Sequence, residues 1–171
     1  MNNAETRQMG IFVLSSAFAV ATAAYSAVTL GHFKSNLLGD KDVKMAKTLS
    51  VLQYVNLGFG ALALLLALWV FMTLMGGNPF PDVQIPILSS LSPGASQMLQ
   101  VLGFVFTAAV TVFTIMFIHK QGDAYKAMNK DKEAKTSLIL NYIMAALLGL
   151  SLLATVGSMM GMGGGGGGGG L

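Results

Sequence analysis

The chain has 171 residues, of which 54% are hydrophobic and only 10% charged, against roughly a quarter charged in ordinary soluble domains. That balance excludes a water-soluble globule and describes a membrane protein. The absence of cysteine also excludes disulfides and thiolate metal sites.

No Asp, Glu, Lys or Arg occurs in residues 8 to 33, 48 to 81, 83 to 119 or 136 to 171. Each gap exceeds the roughly 20 apolar residues that carry a helix across about 30 Å of hydrocarbon. The expected fold is all-α and integral to the membrane, with four transmembrane helices at about 9–31, 49–75, 97–118 and 137–160.

The first span is longer than the roughly 7 to 15 apolar residues of a secretory h-region, and only Arg7 precedes it as a basic residue. It reads as an uncleaved anchor. Ser15, Ala19, Ala23, Ala27 and Gly31 recur at every fourth position and form a small-residue stripe. Lipid tails compete with leucine on equal terms, so helices associate where small side chains let backbones approach. His32 ends this span, and the following loop carries Lys34, Lys41, Lys44 and Lys47.

The second span contains Gln53, Tyr54 and Asn56, about two turns past the lysines, then Gly58 and Gly60. An amide at that depth bonds across helices for about 1 kcal/mol, so Gln53 and Tyr54 are read as interhelical polar contacts. The "GFG" at 58–60 signals packing and no phosphate loop. Trp69 and Phe71 fall where an aromatic belt is expected.

Residues 76–97 hold all four prolines and no Lys or Arg, a pattern that forbids a regular helix. This segment is expected to fold over the helix ends or to dock on a partner. In the third span, Gly103, Thr107 and Thr111 continue a small stripe. His119 and Lys120 then open a second basic loop with Lys126, Lys130, Lys132 and Lys135. The fourth span carries Asn141 and Tyr142 at the same depth as Gln53 and Tyr54, and Ala145 with Gly149 as a small-xxx-small pair. The tail, 161–171, is almost entirely glycine and reads as a tether.

"KMAKTLSVLQY" at 44–54 and "KEAKTSLILNY" at 132–142 share six of eleven residues. Further matches at the same offset of 88 include Val13 with Val101, Phe18 with Phe106, and Leu64 with Leu152. The chain therefore divides into a first transmembrane hairpin (1–75), a proline-containing connection (76–97), a second hairpin (98–160) and the polyglycine tail (161–171). Two spans per repeat put both hairpins into the bilayer in the same orientation. Nine of the ten basic residues lie in the 33–47 and 119–135 loops, which assigns those loops to the cytoplasmic-equivalent side and both termini to the opposite one.

This plan resembles the proteolipid rotor subunits of vacuolar-type ATPases, four-helix membrane proteins made by hairpin duplication. That resemblance implies a proton-carrying carboxylate in mid-membrane, whereas here no acidic residue lies in any span. The same absence argues against ion-coupled transport. His32 and His119 sit at the lysine ends of their helices, and an interfacial position accounts for both without metal or haem. No catalytic, cofactor-binding or metal-binding residue is assigned.

Two function classes follow. The first is a non-catalytic assembly subunit whose partners are the bilayer and neighbouring proteins of a large complex, such as a virion inner membrane beneath a capsid or an accessory subunit of a bioenergetic complex. The second is a small channel or transporter lined by Gln53, Asn141, Thr107 and Thr111. The lysines set topology or meet anionic lipid headgroups at about 1 kcal/mol each. Asp40, Asp42, Asp123, Asp131 and Glu133 dilute the basic loops, so no nucleic-acid partner is expected, and no small-molecule substrate is identified.

Overall fold

The computed structural model describes residues 3–32, 39–76 and 93–162, which are helical with no strand among them. The helices are α1 (Asn3–Gly31), α2 (Asp40–Leu74), α3 (Pro93–Lys120), α4 (Gly122–Ala127) and α5 (Asp131–Met162). All but α4 are long and apolar enough to cross a membrane, over Gly10–Gly31, Asp40–Thr73, Val101–Lys120 and Asp131–Leu153.

Helices α2, α3 and α5 begin at residues 40, 93 and 131, before the starts at about 49, 97 and 137 that the charge gaps suggest. Hydropathy marks where hydrocarbon starts, whereas the backbone ladder continues into the headgroup layer. The water-facing first turns of α2 and α5 carry Asp40, Asp42, Asp131 and Glu133, and the last turn of α3 carries His119 and Lys120. Each sign suits the helix dipole at its end. The start of α3 corrects the expectation that 76–97 is entirely non-helical. Proline fits the first helical position, where its missing N–H would have no intrahelical partner.

Around the bundle, α1 packs on α2 and α5, and α3 packs on α2 and α5. Neighbours run antiparallel. Against α1, Gly31 lies beside Ser50, Gly60 beside Val20 and Gly10 beside Phe71. Between α2 and α3, Gln53 meets Thr114 and Asn56 meets Thr107. Between α1 and α5, His32 meets Glu133 and Ser26 meets Asn141. The basic turns of both hairpins thus lie at one end of the bundle.

The apolar core sits at that same end and draws on every helix: Leu30, Ala46, Leu49, Phe117, Ile118, Tyr125 and Ala134. Short α4 supplies Tyr125, which is fully buried and donates its hydroxyl to the Thr29 carbonyl at 3.3 Å. Burial pushes this phenol above the usual tyrosine range, because the phenolate loses its hydration. A Schellman turn ends α4: Lys130 N–H reaches the Tyr125 carbonyl, Asn129 N–H reaches the Lys126 carbonyl, and Asn129 adopts φ 59°.

Candidate functional site

The notable chemistry of the interior is a layer of buried polar side chains just inside the basic end. Gln53 and Asn141 are 1% and 0% exposed, and Ser26, Thr111, Thr114 and Ser137 are buried with them. Gln53 Nε2 donates to Thr114 Oγ1 at 2.9 Å, from α2 to α3. Asn141 Nδ2 donates to Ser26 Oγ at 2.7 Å, from α5 to α1, and to the Ser137 carbonyl at 2.8 Å. The Ser26 and Ser137 hydroxyls are themselves 3.1 Å apart.

The two amide–hydroxyl bonds correspond residue for residue. Asn141 lies 88 positions after Gln53, and Thr114 lies 88 positions after Ser26. Each hairpin reaches into the other with its second helix and receives on its first. The carbonyl oxygens of both amides, and the Thr22 hydroxyl, have no hydrogen-bond partner among the described residues.

Closer to the basic end, the same exchange recurs. His32 Nε2 lies 3.0 Å from Glu133, and Lys120 Nζ lies 3.3 Å from Asp42. Positions 32 and 120 are again 88 apart, and each pairs with an acid in the first turn of the other hairpin's second helix. Glu133 also receives Lys130 at 2.6 Å, Lys126 pairs with Asp123 and Lys135 with Asp131. Lys41, Lys44, Lys47 and Lys132 are exposed and in no ion pair among the described residues. Lys34, most of the 76–97 connection and all but the first two residues of the 161–171 tail lie outside the described residues. His119 is exposed, and no group of three metal-binding side chains occurs among the described residues.

The small-residue positions divide by depth. Ala23, Ala27 and Thr111 are buried, while Ala19, Gly60, Thr107 and Ala145 are half-buried. Ser15 is half-buried too and bonds to its own helix at the Phe12 carbonyl. Gly60 is the tightest approach, since a Cβ there would meet Val20 Cγ2 at 3.2 Å. A Cβ at Gly31 would lie 3.9 Å from Ser50 Oγ, which bonds to the Ala27 carbonyl. Gly58, Gly103 and Gly149 are exposed, and a Cβ on any of them would meet open space, so they make no close helix contact among the described residues.

Tyr54 and Tyr142 differ from the expected interhelical role: they point outward at 52% and 53% exposure. They follow the buried amides by one residue, and one residue is about 100° around a helix. Sequence reading missed Ser26, Thr114 and Ser137, although the 88-residue spacing of Ser26 and Thr114 offered a signal. It also missed Tyr125, the aromatic residue of a polar loop. Comparison with known proteins adds no relative: no family model, curated protein or solved structure matches the chain.

Proposed function

We propose that the chain is a non-catalytic structural subunit, embedded in a membrane and packing against neighbouring proteins of a large assembly. Two tandem, same-orientation hairpins form the unit, with the basic turns on the cytoplasmic-equivalent side and both termini opposite. The paired amide–hydroxyl bonds at matching positions support the duplicated architecture. They are what a two-fold relation between hairpins produces.

Of the residues that would line a channel, Gln53, Thr111 and Asn141 are buried, and this carries the functional reading; Thr107 is half-buried and donates to Asn56. A central aqueous passage at this level would leave the three buried groups accessible to water. Instead they are inaccessible, and each amide bonds directly to a neighbouring hydroxyl. The stretches 8–33, 48–81, 83–119 and 136–171 add that no carboxylate, ammonium or guanidinium side chain lies within them to carry a proton or hold an ion by charge. The outward glycines 58, 103 and 149, the proline-containing connection and the glycine tail remain for contacts with neighbours, as in a virion inner membrane beneath a capsid or a bioenergetic complex.

Purification of the native assembly in mild detergent tests the reading. Stoichiometric co-migrating proteins are expected, together with no selective flux when the purified chain is placed in liposomes. Selective flux would reverse the assignment in favour of a channel.

A further inference from the structure

Packing accounts for only half of the repeated phrase. Ala46 with Ala134 and Gln53 with Asn141 are buried, and burial explains their similarity, while the buried pair Leu49 and Ser137 differs. The other half faces outward. Lys44 with Lys132, Lys47 with Lys135 and Thr48 with Thr136 are exposed and identical, and Val51 with Ile139 are 55% and 58% exposed. No contact within the chain requires these side chains to agree.

Their spacing puts them on one face of each helix, because residues three and four apart are neighbours there. From the basic end inward, that face presents two ammonium groups, a hydroxyl and then branched apolar side chains. An anionic phospholipid presents the complementary order of phosphate, glycerol ester and acyl chain. In the first copy, Lys44, Lys47, Thr48, Val51 and Leu52 line a surface depression of about 400 Å³. Neither of its lysines is engaged by an acid among the described residues.

We infer that the repeated phrase builds two lipid sites, each holding the phosphate of an anionic phospholipid between its lysines with an acyl chain along the apolar foot. The second comprises Lys132, Lys135, Thr136, Ile139 and Leu140. It is the weaker of the two, because Asp131 already holds Lys135 Nζ at 2.7 Å. This inference needs only the membrane span and stands apart from the assembly reading.

Native mass spectrometry of the full chain in detergent, titrated with dioleoylphosphatidylglycerol or dioleoylphosphatidylcholine, tests it. Two phosphatidylglycerol molecules per chain are expected to bind with unequal affinity, and phosphatidylcholine much more weakly. K44Q/K47Q should weaken the tighter site roughly 25-fold, at about fivefold per lysine. K132Q/K135Q should weaken the other site by about fivefold. K44R/K47R, which keeps the charge that sets topology, should retain binding. Equal retention of the two lipids, or unchanged phosphatidylglycerol binding in K44Q/K47Q, would overturn the inference. So would displacement of the lipid by millimolar inorganic phosphate, which would make this a free-anion site. Failure to find neighbouring proteins would leave these results untouched.

Discussion

In the first hairpin α1 and α2 approach each other at three levels, whereas in the second the described residues farthest from its basic turn are exposed. Along α1 and α2 there are close approaches at Gly31 and Ser50, at Gly60 and Val20, and at Gly10 and Phe71. In the second hairpin, Val101, Leu102 and Gly103 are exposed in succession on α3, as are Gly149 to Leu153 on α5. Three or more consecutive exposed residues mean that a helix is uncovered on nearly every side. Of the eight positions 88 residues earlier, Val13, Ser15, Ala61, Ala63 and Leu64 are half-buried, while Leu14, Leu62 and Leu65 are exposed. Hydrophobic content does not separate the two, since lipid solvates an exposed leucine as well as a protein core does. Backbone proximity does: the position corresponding to Gly60 is Leu148, and that corresponding to Gly10 is Met98.

Removing the element that pins the second hairpin should have the largest effect. Tyr125→Ala empties a fully buried aromatic site and should destabilise the chain by about 3 kcal/mol in a denaturing-detergent titration. Tyr125→Phe, which removes the hydroxyl that bonds to Thr29, should cost about 1 kcal/mol. Next, Gly60→Leu copies the second hairpin's residue into the first. It should cost about 2 kcal/mol by overpacking against Val20. It should also lengthen the spin-label distance between Val13→Cys and Leu62→Cys toward that between Val101→Cys and Leu150→Cys, which is expected to be the longer in the unaltered background. The cysteine-free sequence makes such labelling site-specific.

Asn141→Leu and Gln53→Leu should each cost about 1 kcal/mol, with Asn141 the larger because it holds two partners. A cycle pairing Asn141→Leu with Ser26→Ala should be non-additive, whereas pairing it with Thr114→Ala should be additive. Smallest of all, Gly58→Ala, Gly103→Ala and Gly149→Ala should leave the isolated chain unchanged or more stable by up to about 1 kcal/mol, through helix propensity alone. Loss of co-purifying neighbours in these variants would assign the glycines to intermolecular contacts.

The four spans were legible because charge is so costly in hydrocarbon that its absence writes the boundaries into composition. Helix starts were less legible. Asp40 and Pro93 lie where polarity suggests a loop, yet an acid in the first turn and a proline at its first position both suit a helix start. Of the candidate polar residues, Gln53 and Asn141 are buried as an interhelical role requires, while the adjacent tyrosines are not. A depth estimate ranks residues along the axis and leaves their rotation about it undetermined. Tyr125 was hidden because its partners, Thr29 and the core around Leu30, lie in a distant part of the chain.

The crosswise amide bonds also bear on biosynthesis. A chain made from its N-terminus brings out α1 and α2 first, matched at three levels, with Ser26 and Gln53 lacking the amide and hydroxyl that later answer them. Those two groups mark the nascent half-molecule with a sticky side in an otherwise oily environment. The second half supplies the answering groups, Thr114 to Gln53 and Asn141 to Ser26, so the pairing of the two halves is the arrangement that satisfies both.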